Sequence, residues 1–239
     1  MIRIFQAMVP LLPFYLVCVT LGLSLACMLT LFFPSCPAIV PALTTYDNWS
    51  TTILALSLVL FHVVRRLWES LCISVYSDTT MNLFHYVVGI IHYTILPLSI
   101  VCESRGFFNS RQGLVFSASE ITPWQWFGVV LFLFCNREQH LISKEIAALR
   151  KAPDGLIFNY AHGICYGGWF DYVSCPHFLF EIGIYLSLWI VLPGAYAYQF
   201  LAIFVFVNQI FAGQITHRWY RRTFKAYPTS RKAVIPYIL

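Results

Sequence analysis

Charge is scarce in this chain, at 10% of 239 residues, while 59% are hydrophobic. A soluble domain of that length could not cover so much apolar surface with so few charged groups, so the composition excludes one and points to membrane integration. No GxGxxG and no GxxxxGK[ST] occurs, so a nucleotide would not be held on a Rossmann or P-loop element. The eight cysteines form no CxxC pair and fall mostly within apolar runs, which indicates neither a disulfide framework nor a zinc site. The seven histidines show no HxxxH or HxxHH spacing, against a histidine-box iron centre or any other metal. Internal repeats, low-complexity tracts and a nucleic-acid-binding module are also missing.

What is present is a series of apolar spans. Six are read, at about Phe5–Phe33, Thr51–Trp68, Leu83–Val101, Trp124–Phe134, Phe178–Leu192 and Tyr196–Ala212. The fourth and fifth are short for the ~20 residues that a crossing helix needs. The first is too long for a signal-peptide core and carries Pro10 and Pro13 near its start. It is expected to be retained, with its helix beginning after Pro13 or its first turns lying in the interface. The fold class expected is all-α: one polytopic transmembrane bundle over residues 1–239, with a pocket facing the cytoplasm.

Basic residues orient that bundle. Arg65 and Arg66 close the second span, Arg137, Lys144, Arg150 and Lys151 follow the fourth, and the tail after the sixth is the most basic segment. Between Val101 and Pro123, Arg105 and Arg111 are balanced by Glu103 and Glu120. The positive-inside rule then puts both termini in the cytoplasm. The net charge of +5 fits anionic headgroups or a phosphate-bearing ligand. Ser143–Lys151 reads as a helix on the cytoplasmic face, with Leu141, Ala148 and Leu149 inward, followed by a turn at Pro153-Asp154-Gly155. Leu156–Pro176, aromatic, polar and Gly-rich, reads as an interfacial or re-entrant loop.

Three constellations of ionisable groups stand at the ends of these spans, where such groups are costly and mark function. In FHVVRRLWES, His62, Arg66 and Glu69 fall on one helical stripe, while Arg65 reads as a snorkelling arginine. At the end of the sixth span Gln209, Gly213, His217 and Tyr220 share a face, with Asn208 adjacent and Arg218, Arg221 and Arg222 following. This face resembles a pocket leading to a phosphate. In GGWFDYVSCPHFLFE, Pro176 starts a helix whose first turns carry His177 and Glu181, and Asp171 lies just upstream. A carboxylate placed like Glu181 needs a partner. Cys165 and Cys175 read as small packed thiols, and His85 and His92 as packed or lumen-facing groups.

Four stretches carry a family resemblance: FHVVRRLWESLCISVYS, EQHLISKEIAALRK, GGWFDYVSCPHFLFE and HRWYRRTFKAYPTSRKAVIPYIL. They resemble the steroid 5α-reductase family, in particular its polyprenol (polyprenal) reductase branch, from about Thr51 onward, with the family's C-terminal region over about residues 80–239. The resemblance implies a multi-pass enzyme of the endoplasmic reticulum membrane that takes NADPH from the cytoplasmic side and reduces a double bond conjugated to a carbonyl, on a long-chain polyisoprenoid. It implies cofactor-site positions at Arg66, Arg150, His177, His217, Tyr220 and Arg231, and a pocket acid at Glu181. Two departures stand out: Val63 occupies the place of a tyrosine of the steroid reductases, and their acid from an earlier helix has no counterpart in residues 1–50. The carbonyl-polarising role then falls to His62 or Glu69. Family members commonly have seven spans, against six here. A trans-2-enoyl-CoA reductase, a non-catalytic lipid-binding protein of the same fold and an isoprenylcysteine methyltransferase remain alternatives.

Overall fold

The computed structural model describes residues 8–10, 18–19, 21–23, 25, 49–76, 80–101, 116–152 and 154–239. Most of the first span, Pro13, the charges Glu103, Arg105 and Arg111, and Pro153 lie outside them. Among the described residues five long helices dominate: α1 (Trp49–Trp68), α2 (Leu83–Val101), α3 (Pro123–Ala148), α4 (Pro176–Val191) and α5 (Tyr196–Thr223). The only ladder among the described residues is a three-residue antiparallel pairing of Met8–Pro10 (β1) with Thr80–Asn82 (β2). Among the described residues three helices are long and apolar enough to cross a membrane: α1 with its extension to Ile73, α2 and α5, with α4 a shorter apolar helix. The chain is a polytopic helical bundle.

α1 changes geometry at its end. Glu69–Ile73 continues it as a π-helix, with Ser74 N bonded to Glu69 O at 2.8 Å. The turn widens only beyond Glu69, which receives Arg66 Nη1 from one turn earlier; such π segments often occur at functional sites. Two cations donate to carbonyls at and just past its end: Lys151 Nζ to Ile73 O at 2.9 Å and Arg150 Nη1 to Val75 O at 2.6 Å. Positive groups belong there, because a helix end presents unpaired carbonyls.

α3 begins at a capping box. Thr122 Oγ1 accepts from Gln125 N, Gln125 Oε1 accepts from Thr122 N, and Pro123 takes the first helical position. The helix then runs unbroken for 26 residues, so no separate surface helix exists at Ser143–Lys151. Ile142 and Ala147 face the core there, while Ala148, expected inward, is exposed. Helical propensity through Glu138–Ala148 contains no breaker, which explains the continuity.

Small residues set how closely α3 and α4 pack. A Cβ on Gly183 would lie 2.6 Å from Cys135 Sγ, and one on Gly128 would lie 2.9 Å from Ser187 O. Where lipid supplies no hydrophobic drive between helices, such close approach and the dispersion contacts it permits hold them together. α5 has 28 residues, roughly 42 Å at ~1.5 Å per residue, against a hydrocarbon layer of ~30 Å. Its last turns therefore project from the bundle. The tail returns onto them: a Cβ on Gly213 would lie 2.1 Å from Val234 Cγ2. The same segment pairs with the loop before α4, through Ser174 N to Lys232 O at 2.8 Å, Lys232 N to Tyr172 O at 2.9 Å and Cys175 N to Ala233 O at 3.0 Å.

Candidate active site

A cavity of about 500 Å³ opens where α1, α3, α4 and α5 converge, a volume usual for small-molecule sites. Arg66, Arg150, His177 and Glu181 line it, together with Gln209 from α5. Sequence reading did not single out Tyr93, Gln139, Ser143 or His162, which line it as well.

Arg65 organises one wall. Its side chain is only 10% exposed, so it is a buried hub and not the snorkelling residue expected. It donates to Glu69, to Asn136 Oδ1 through Nε at 3.0 Å, and to the Gln139 amide oxygen. Glu69 is fully buried. It receives Arg66 Nη1 at 2.7 Å and meets His140 Nδ1 at 2.9 Å as well as Arg65. A carboxylate shared among two guanidinium groups and an imidazole is an anchor for those arginines, and Glu69 does not line the cavity.

Gln139 continues the chain of contacts, with Nε2 donating to Glu181 and to His177 O at 3.2 Å. His62 lies behind this wall, 3% exposed, with Nδ1 2.9 Å from Asn136 Oδ1 and Nε2 3.9 Å from Glu181 Oε1. Among the described residues neither His62 Nε2 nor His177 Nδ1 has a hydrogen-bond partner. His92 Nε2 meets Tyr185 OH at 2.6 Å, so it is packed within the bundle.

His217, Tyr220 and Arg231 form a second cluster at the projecting end of α5. Ser174 Oγ is 2.6 Å from His217 Nδ1 and accepts from Tyr227 OH at 2.5 Å; Tyr220 stacks on Tyr227 with centroids 5.3 Å apart. The Arg231 guanidinium lies 4.9 Å from the Tyr166 ring centroid and 5.4 Å from that of Tyr227, an arrangement suited to cation–π attraction. Arg231 is 4% exposed and its Nε has no partner among the described residues. These three residues do not line the cavity. His162 connects the two regions: it lines the cavity while its ring meets Trp219 at 5.2 Å. What burial it has, and then the Arg150 charge, hold its imidazole below the usual range.

Asp171 is a local lock, accepting from Gly167 N at 2.9 Å at a residue whose φ of +90° suits glycine. Cys165 and Cys175 are packed thiols, pushed up to about 11 and about 12 by burial. Among the described residues no group of three or more His, Cys, Asp or Glu could hold a metal ion. The arrangement therefore offers cations for an anionic ligand, aromatic faces, and one carboxylate at the cavity wall.

Residues 80–239 match a family model described as 3-oxo-5-alpha-steroid 4-dehydrogenase. A polyprenal reductase of Caenorhabditis elegans is 45% identical over 298 residues, which cover 95% of this chain and 96% of that protein. That alignment is longer than this chain, so the worm protein carries internal residues without a counterpart here. Polyprenal reductases of Danio rerio and Xenopus tropicalis are 35% and 31% identical, over 79% and 80% of the chain. The chain spans 61% and 62% of the length of those two relatives.

Proposed function

The chain belongs to the 3-oxo-5-alpha-steroid 4-dehydrogenase family, an oxidoreductase family, and on that premise we propose that it is an NADPH-dependent polyprenal reductase. It would reduce the double bond of the α-isoprene unit, next to the aldehyde, and so supply dolichal and dolichol for dolichyl-phosphate-dependent protein glycosylation. Its setting would be the endoplasmic reticulum membrane, as the family resemblance implies, with the C-terminus in the cytoplasm, as the positive-inside reading supports.

One observation carries this reading: Arg66, Arg150, His177 and Glu181 converge on a single cavity between apolar helices. The residues fit a phosphorylated dinucleotide. Arg66 and Arg150 supply cationic donors matched to phosphate, and the buried Arg231, clamped by two tyrosine rings, has an Nε without a partner among the described residues. Bound there, the nicotinamide would supply the hydride. The protein's share is to orient, to exclude water and to place donors where negative charge develops. Conjugation to the aldehyde matters, because that charge must delocalise onto oxygen. His177 and Glu181, at the start of an apolar helix, would set the reacting end of the substrate, with the isoprenoid tail left in lipid. Of the two candidates for polarising the carbonyl, His62 stands directly behind Glu181, whereas Glu69 is enclosed by its cations.

The test is the purified protein in detergent with NADPH and polyprenal, with products analysed by mass spectrometry. Formation of dolichal supports the reading. Consumption of NADPH only with a trans-2-enoyl-CoA, or no consumption with either, would overturn it. In cells lacking the protein, polyprenols should accumulate and dolichols fall.

A further inference from the structure

Hydrogen-bond valence around Arg65 determines where protons can sit on the far side of the wall. A guanidinium only donates, so Glu69, Asn136 and Gln139 meet Arg65 through acceptor oxygens. Asn136 presents Oδ1 to Arg65 Nε, while its Nδ2 donates to Phe132 O at 2.9 Å, and the amide cannot turn over without losing both bonds. His62 Nδ1 lies 2.9 Å from that same Oδ1, an atom with no proton to give. On that shorter contact His62 donates from Nδ1, and the 3.2 Å approach of Arg65 Nη2 to the same nitrogen is then no hydrogen bond, since both atoms are donors. Gln139 obeys the same logic. Its oxygen faces Arg65, so its amide nitrogen must face Glu181, and Glu181 must accept there through Oε2.

The consequence falls on one gap. With the imidazole proton assigned to Nδ1, a neutral His62 turns a bare lone pair on Nε2 toward Glu181 Oε1, 3.9 Å away. Two buried acceptors facing each other repel, and Nε2 has no other partner among the described residues. A proton between them removes the conflict, whether it rests on nitrogen or on oxygen. We infer that the His62–Glu181 pair carries one proton, on Nε2 or on Oε1, and that Glu181, which lines the cavity, delivers it to the substrate. Glu181 is then the catalytic acid, and His62, Asn136, Gln139 and Arg65 are positioning residues acting through it.

This rests on the reductase reading for its substrate, but not for the proton itself. Saturating the conjugated double bond adds a hydride to the β-carbon and a proton to the α-carbon. The hydride is the nicotinamide's contribution. The proton leaves the His62–Glu181 pair, which keeps the electron pair of the broken bond to hydrogen, and water from the cavity returns a proton to it. The charged and titratable groups facing the pair are Arg65 and Arg66 from α1 and His177 from α4, with Tyr185, His92 and Tyr198 of α5 further along the bundle.

The experiment separates the two claims. Histidine-selective nitrogen-15 labelling of the apoprotein in detergent, with His62→Gln used for assignment, reads the state of Nε2 at neutral pH. The expected result is a protonated or proton-exchanging Nε2 that becomes a bare nitrogen in Glu181→Gln. Infrared difference spectra between wild type and Glu181→Gln provide a second reading of the same proton. A bare Nε2 in the wild type, together with a fully ionised Glu181, would overturn the inference even if polyprenal is reduced. Should Glu181→Gln fail to fold, His62→Gln tests the same point, because Glu181 should then lose the shared proton and become an ordinary carboxylate. In turnover, Glu181→Gln should lower kcat about 10²- to 10⁴-fold with the KM for NADPH little changed. A wild-type protein that shows the shared proton but reduces no polyprenal would sink the reductase reading and leave the pair standing.

Discussion

Gln139 stands between Arg65 and Glu181, accepting from the guanidinium through its oxygen and donating to the carboxylate through its nitrogen. One amide thus transmits the orientation of a buried cation to an acid at the cavity wall. Replacing it with leucine keeps the volume but leaves an Arg65 donor and a Glu181 oxygen unsatisfied. The expected cost is about 1–3 kcal/mol for each buried group left unpaired. Thermal unfolding in detergent should show it, with reductase activity falling further than stability does.

Glu69→Gln should be more damaging than its distance from the cavity suggests. The carboxylate is fully buried between Arg65 and Arg66, and neutralising it leaves two half-buried cations facing each other. Breaking such a pair costs about 3–5 kcal/mol. Poor folding yield and a lowered unfolding temperature are expected, whereas an unaltered unfolding temperature would show that the pair is dispensable.

Gly213→Val should detach the tail from α5. Space for a Cβ is absent, with Val234 Cγ2 only 2.1 Å from where it would sit. Displacing Val234 also displaces Arg231, three residues earlier. Limited proteolysis should then cut the tail more readily, and NADPH should bind about tenfold more weakly, a loss of ~1.4 kcal/mol. Unchanged affinity would remove Arg231 from the cofactor site.

Cys165 and Cys175 should resist maleimide at about pH 8 in the folded protein, because only a small fraction of each thiol is ionised when burial holds them at about 11 and about 12. Among the cysteines of the described residues Cys72, exposed on the π-helix, should label first. Peptide mapping after labelling, with and without denaturant, checks the order.

The helices and the polar lip before α4 were legible in the sequence because long apolar runs, a starting proline and clustered basic residues are local signals. Arg66, His177 and Glu181 could be named because ionisable groups at span ends are conspicuous, whereas Arg150 was named as a site residue only through the family resemblance. Gln139 was not, since a glutamine in NREQH looks like the ordinary polar exit of a span. Its role depends on the rotation of α3 against α1 and α4, which no local pattern specifies. Arg65 was misread for a related reason: snorkelling and burial look alike until the partner helix is in place. The length of α3 was misjudged because hydrophobicity stops near Phe134 while helix-forming residues continue to Ala148.

The pairing of residues 172–175 with residues 232–233 also sets an order of assembly. Ser174 and Cys175 lend their N–H groups to carbonyls that leave the ribosome only after α5 has been made, nearly 60 residues later in the chain. α1 to α4 can enter the bilayer as they are synthesised, but the lip above the cavity must wait with open backbone groups until the tail arrives. A newly made bundle would therefore pass through a stage that is inserted and packed yet unable to hold its ligand. A nascent chain stalled just after Thr223 would be caught at that stage.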